Sequence, residues 1–381
     1  MDSEPQDLSS EDQLRLNILM RASQVQAVRI DEGRMTLHAL TDTGEARVSL
    51  HANCRADRYL HRVKEFLAGH VLGSPGGYPV YLQRWTRMGQ TSDKHLDVLL
   101  LLGEPEAVVA VAHAPGLTDE LARRAWWCQP TMEMARWMLE KDSVIQGRMG
   151  PVLADFLIEH LPFEASTDAR MHTVRLVLHG KLTNTATTAR LWRLAKTTPD
   201  YFIGFLEFMS GQLPQDQSER GDFAHAATVL TPLITSGNAL AERLLSLLSA
   251  NGQTWLRAAS EALAKPSTSL AVYALLDAIR QYFVSTGYPL EAATLEDVFL
   301  RAESMVKNPA GQPEALTALL AAAPQFARSI QAMLVLSALA SSLADPWLLR
   351  NTAVGALIRR KIAPMTQPIQ DEMAALRTAG H

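Results

Sequence analysis

Gly73-Ser74-Pro75-Gly76-Gly77-Tyr78-Pro79, followed directly by Val80-Tyr81-Leu82-Gln83-Arg84-Trp85-Thr86-Arg87-Met88-Gly89-Gln90, separates two kinds of sequence. Two prolines and three glycines within seven positions continue neither a helix nor a sheet ladder. Proline lacks the amide donor, and glycine loses too much conformational entropy on ordering. The chain therefore turns here. The residues before the turn read as a small mixed α/β unit, and those after it read almost entirely as helix.

Upstream, Ser10 stands three residues before Gln13 in a capping-box pattern, and helical spacing over 8–22 places Leu14, Ile18 and Leu19 on one side. Short β-prone runs around Val25, Val28 and Ile30, around 35–40, and around Val48 and Leu50 are broken at Asp31-Glu32-Gly33 and Asp42-Thr43-Gly44. This is the pattern of a three-stranded antiparallel meander. Leu60, Val63, Phe66 and Leu67 restore helical spacing over 57–70 and supply a helix to cover that sheet.

Downstream, short apolar segments alternate with breakers such as Gly103-Glu104-Pro105, Ala114-Pro115-Gly116 and Leu161-Pro162. Pro105 suits a first helical turn, and Thr118 before Asp119-Glu120 is an N-cap with acids against the helix dipole. Helices this short need stacked neighbours. The expected fold is mainly α: an N-terminal α+β unit over 1–90, an irregular HEAT-like array of antiparallel helix pairs over 91–210, and an Ala/Leu-rich helical region over 222–381. The polar segment 211–221 reads as a linker, and a loosely attached last helix is expected over 369–377, after Pro364 and Pro368.

Thirty-six basic and 40 acidic residues give a net charge of −4, with no global field to attract nucleic acid or an anionic membrane. Asp2, Glu4, Asp7, Glu11 and Asp12 precede the first cation, Arg15, which is the reverse of a secretory leader. The longest nearly apolar run, 332–344, falls short of the roughly 18 to 20 residues of a membrane helix, so no membrane insertion is expected. Cys54 and Cys128 are too few for a disulfide framework. A cytoplasmic protein is expected.

The glycines of the central loop are not followed by Lys-Ser or Lys-Thr, as a phosphate-cradling loop requires. Two readings remain for it: a connector, or a partner surface built from Tyr78, Tyr81, Arg84, Trp85 and Arg87, residue types that anchor interfaces. Cys128 follows Arg123-Arg124-Ala125-Trp126-Trp127, where neighbouring arginines could lower a thiol pKa, so Cys128 and Cys54 are the candidate thiol sites. Core packing of the two tryptophans is the alternative. His172 and His179 lie seven apart with no further ligand pattern, and no metal or cofactor is expected. Arg359-Arg360-Lys361 reads as the cationic end of a helix, complementing its dipole, with a weak RNA contact as the alternative.

Taken together, 72–90 (LGSPGGYPVYLQRWTRMGQ), 103–127 (GEPEAVVAVAHAPGLTDELARRAWW) and the segment ending Glu159-His160-Leu161-Pro162-Phe163-Glu164 resemble the DsrS family, soluble cytoplasmic proteins associated with dissimilatory sulfur oxidation. The likeness runs from Leu14 to about Leu213. It implies a non-catalytic accessory protein acting beside the sulfur-oxidising machinery, whose central enzyme is the sirohaem-containing dissimilatory sulfite reductase. It brings no active-site residues and no cofactor to this chain. The alternatives are a thiol-dependent sulfur-handling protein using Cys128 or Cys54, and a regulatory RNA-binding protein of the same pathway.

Overall fold

Alternating side chains along 25–49 form the expected meander. In the computed structural model, which describes residues 8–22, 24–72, 96–214, 216–284, 294–349 and 353–379, strands β1 (Val25–Asp31), β2 (Thr36–Thr41) and β3 (Gly44–Ser49) pair antiparallel in the order β1-β2-β3. The register sets Val28 opposite Ala39 and Leu37 opposite Val48. These four side chains are buried on one face, together with Leu16 and Leu19 of α1 (Ser10–Ala22) and Tyr59, Leu60, Val63 and Leu67 of α2 (Ala56–Leu72). The partner residues expected at Tyr78, Tyr81, Arg84, Trp85 and Arg87 lie outside the described residues.

The buried side of α1 differs from the one expected. Asp12, Leu16 and Leu19 face the core, whereas Leu14 and Ile18 are 61% and 56% exposed. A buried carboxylate occupies one of the inward positions, which shifts the inward stripe away from the side that leucine spacing alone selects.

The unit does not end at the Gly/Pro loop. The described residues up to His160 form one compact unit and those from Leu161 onward a second. The free edge of β1 explains why the short helix α3 (Leu96–Leu99) and its successors belong with the sheet: the Val28 N–H donates to the Leu100 carbonyl at 2.8 Å. Gly103 then turns the chain in a left-handed conformation (φ +67°) where a Cβ would stand 3.1 Å from Ile30. The first unit continues through α4 (Pro105–His113), α5 (Asp119–Cys128), α6 (Met132–Met138), α7 (Asp142–Ile145) and α8 (Met149–His160). Thr118 caps α5 as expected, accepting from the Leu121 N–H at 3.3 Å.

The second unit is helical: α9 (Thr167–His179), α10 (Thr185–Ala195), α11 (Phe202–Phe208), α12 (Phe223–Thr235), α13 (Ala239–Leu248), α14 (Ala250–Ala264), α15 (Ser269–Val284), α16 (Leu295–Lys307), α17 (Glu314–Ala322), α18 (Ala327–Ser337), α19 (Asp345–Leu348) and α20 (Ala356–Arg377). Trp255 anchors its core, fully buried, stacked on Tyr282 at 3.9 Å and set edge-on to Phe283. The apolar run over 332–344 is likewise mostly buried, and no single helix among the described residues is long and apolar enough to cross a membrane.

Two expectations for this unit are corrected. The C-terminal helix is not a short, loose segment after Pro368: α20 runs 22 residues through both prolines and packs on α13, α14 and α18. Pro364 and Pro368 lie one turn apart outside its buried stripe of Ile358, Ile362, Met365, Ile369, Met373 and Leu376. The carbonyls they leave without partners therefore face outward.

Nor is 211–221 a free linker. Arg220 is buried, and its guanidinium forks onto Asp222 at 2.7 and 2.8 Å. Its Nη1 donates to Ser329 Oγ and to the carbonyls of Ala375, Leu376 and Thr378 at 3.2 to 3.5 Å. Those are carbonyls at the C-terminal end of α20, which have no intrahelical partners and attract a cation. A lysine cannot reproduce this planar fork. Arg220→Lys is expected to destabilise the second unit by about 2 kcal/mol, and Arg220→Met by more, because the acceptors stay buried. Urea denaturation checks this; unchanged midpoints would remove the role assigned to Arg220.

Candidate interaction surface and thiol sites

The outward face of α1 owes its orientation to Asp12. This fully buried carboxylate accepts from the Tyr59 hydroxyl at 2.5 Å, the His51 backbone N–H at 2.6 Å and His51 Nδ1 at 3.1 Å. Ser9 completes the cluster, its N–H donating to the Tyr59 oxygen at 3.3 Å. α1, α2 and the end of β3 are thereby tied at one point, and Leu14 and Ile18 are held toward solvent one helical turn apart. Ser9, His51 and Asp12 do not form a nucleophilic triad, since Ser9 Oγ is paired with Tyr59 rather than His51.

Cys128 closes α5 where it meets the sheet. Its thiol donates to the Val28 carbonyl at 3.6 Å, so both backbone groups of this edge residue are satisfied, one by Cys128 and one by Leu100. Burial pushes the thiol up to about 12, and the nearby Arg29 cation offsets only part of this. The arginines next to it in sequence are engaged elsewhere. Arg123 and Arg124 both grip Glu120, and that grip, led by Arg123, holds the Glu120 carboxyl down to about 2. Arg29 lies under the Trp127 ring at 4.6 Å and donates to the Trp127 carbonyl at 3.2 Å. Trp127 therefore packs on the second face of the sheet.

That second face carries a polar row. Glu45 accepts from His38 Nδ1 at 2.8 Å and Arg47 Nε at 3.0 Å, with Arg29 at 3.5 Å. The His38 hydrogen bond, joined by the two arginines, holds its carboxyl below the usual range despite partial burial.

Cys54 stands in a different setting. It is half-buried, and Arg62 Nη1 donates to its sulfur at 3.4 Å. Cys54 and Cys128 are not brought together by any contact among the described residues; Cys54 packs at the helical side of the sheet and Cys128 at the edge of β1.

In the second unit, an open cleft of about 460 Å³ is lined by Lys196, Asp216, Arg257, Glu261 and Lys265. Arg257 is neutralised there by Asp216 at 2.6 Å and Glu261 at 2.6 Å, and it lies over Trp192 and Phe202. Lys196 adds a third contact to Asp216 at 3.3 Å. The cleft is thus a closed ion-pair network that fixes the chain at Asp216. Nearby in sequence, burial raises the Asp200 carboxyl, whose Oδ1 accepts from the Ser267 N–H at 3.3 Å. Among the described residues no group of three or more His, Cys, Asp or Glu side chains could hold a metal ion. His179 packs against Phe208 at 4.7 Å instead of joining a ligand set.

No protein-family model matches the chain, and neither a curated protein nor a solved structure matches it.

Spacing missed the Asp12 cluster because its members, Ser9, Asp12, His51 and Tyr59, converge from three separate elements. The one available signal was an acid at a position that leucine periodicity left ambiguous. Burial raises the Asp12 carboxyl, yet its hydrogen bonds from Tyr59 and His51 win, so its folded pKa lies below the ordinary value. Its stabilisation is therefore complete at neutral pH and is lost as pH falls below about 4, through the folded pKa. Asp12→Asn is expected to cost about 2 kcal/mol at neutral pH. The gap to the native protein should narrow in urea titrations at about pH 3; a gap independent of pH would contradict the charged network.

Proposed function

We propose that this chain is a non-catalytic accessory protein of dissimilatory sulfur oxidation that works by binding another protein of that machinery in the cytoplasm. The resemblance to the DsrS family supplies the pathway. The observation that carries the binding role is the outward face of α1, where Leu14 and Ile18 stay 61% and 56% exposed although the opposite face is locked by a buried carboxylate. Paired aliphatic side chains on a fixed helix face are what a partner's groove takes up. Tyr78, Tyr81, Arg84, Trp85 and Arg87 remain proposed partner contacts, on the chemistry of their residue types.

The test is retention of a sulfur-pathway protein by tagged protein from cells oxidising stored sulfur, beside a Leu14→Asp, Ile18→Asp variant with an unaltered thermal transition. The expected result is a defined component, dissimilatory sulfite reductase among the candidates, retained by the native chain and lost from the variant. Absence of any specific component with the native chain would overturn the reading.

A second reading, thiol-based sulfur handling, rests on the Arg62 contact to Cys54. In it, the Cys54 thiol takes the sulfane sulfur of a persulfide donor, forming a Cys54 persulfide and releasing the donor's thiol. Cys128 is the poorer candidate: burial pushes its thiol up to about 12, and that thiol donates to the Val28 carbonyl. Mass spectrometry after exposure to a persulfide donor should find added sulfur on Cys54, lost in Cys54→Ser and kept in Cys128→Ser. Addition to Cys128 instead, or to neither, would remove this reading.

A further inference from the structure

The cations Arg359, Arg360 and Lys361 do not end a helix. α20 starts at Ala356, after Gly355, and they occupy its first two turns. A cation there meets the positive end of the helix dipole, an arrangement that is unfavourable by some tenths of a kcal/mol per charge. No acid stands in the first turn to compensate. Among the described residues no hydrogen bond or ion pair holds any of the three side chains. Arg360 and Lys361 are exposed. Among the described residues these charges have no partner.

Exposed aliphatic side chains stand on the same and the adjoining segments. Leu357 shares the outward face with Arg360 and Lys361 at i, i+3 and i+4, and is 62% exposed. Val354 is 63% exposed and Leu349 67%. The Gly355 N–H donates to the Ser267 carbonyl at 2.9 Å and Tyr273 donates to Asp345 at 3.0 Å, which fixes this segment beside the first turns of α15, where Leu270 is 58% exposed. The carboxylates on the adjoining segments are already engaged: Asp345 by Tyr273, Asp168 by Thr268, and Asp200 by the Ser267 N–H.

We propose that this patch of Leu357, Val354 and Leu270 with Arg360 and Lys361 docks an acidic protein segment carrying an aliphatic anchor. The inference rests on the reading of the chain as an interaction protein and names a second surface and its partner's chemistry. Charge complementarity decides the class of occupant. A membrane or a nucleic acid presents an extended array of negative charge, which a chain of net charge −4 meets with overall repulsion. Three phosphate contacts at most give weak binding. None of Leu357, Val354, Leu270, Arg360 and Lys361 carries an aromatic ring on which a base could stack. A short acidic segment needs only two or three opposite charges and an apolar side chain to seat among the leucines.

The experiment uses the full purified chain and a fluorescently labelled amphipathic peptide with Glu and Leu recurring on one helical face. Its outcome is independent of partner capture through α1. Salt-sensitive binding is expected, weakened roughly tenfold or more by Arg360→Glu with Lys361→Glu and by Leu357→Asp, and unchanged by Arg34→Glu in the first unit. The charge reversal should leave the thermal transition unaltered or slightly raised, because acids suit this end of the helix. No peptide binding, or binding indifferent to these variants, overturns the proposal. So does variant-sensitive binding confined to phosphatidylserine vesicles or single-stranded RNA, which would assign the patch to a lipid surface or to nucleic acid.

Discussion

The guanidinium of Arg220 sits where the second unit is closed. One face of it satisfies Asp222, and the other supplies the terminal carbonyls of α20 and Ser329 of α18. Gln253 of α14 reinforces the same end, donating to the Leu376 and Leu247 carbonyls at 3.2 and 2.8 Å. A helix containing two prolines has poor intrinsic stability, since each interior proline costs on the order of 3 kcal/mol in an isolated helix. Its place in the fold comes from the apolar stripe against α13, α14 and α18 and from the cation that finishes it.

This arrangement links stability to presentation. The C-terminal half of α20 is pinned, while its N-terminal half turns Leu357, Arg360 and Lys361 outward against the preference of the helix dipole. The first unit shows the same division on a smaller scale. Asp12 fixes one side of α1 and leaves Leu14 and Ile18 exposed on the other. In both units the buried polar groups hold helices, and the exposed faces mix aliphatic side chains with charge. Cys128 belongs to the holding side, with its thiol donated to a strand carbonyl.

Much of the fold was legible in the chain. The meander followed from short β-prone runs ending in Asp-Thr-Gly and Asp-Glu-Gly turns, and the Thr118 cap and Pro105 in a first helical turn sit where helix chemistry favours them. The illegible parts depended on long-range partners. The polar composition of 211–221 reads as a linker until Arg220 is seen to meet carbonyls some 155 residues away. Pro364 and Pro368 read as breakers because their position outside the buried stripe is set by packing. The sign of the Arg359-Arg360-Lys361 cluster was plain in the sequence, but its place at the start rather than the end of a helix followed from that same misread boundary. The candidate site was legible only as residue types: Cys54 and Cys128 were singled out together, and their different surroundings, Arg62 for one and the Val28 carbonyl for the other, come from the tertiary structure.

The central claim is that α20 is a fixed platform despite its prolines, closed by Arg220 and offering its first turns to a partner. Native-state hydrogen exchange, resolved along α20, tests it most directly. The account predicts that amides over 365–377 exchange only with global unfolding of the second unit, as buried helix cores do. Exchange there as fast as at a fraying chain end would contradict it.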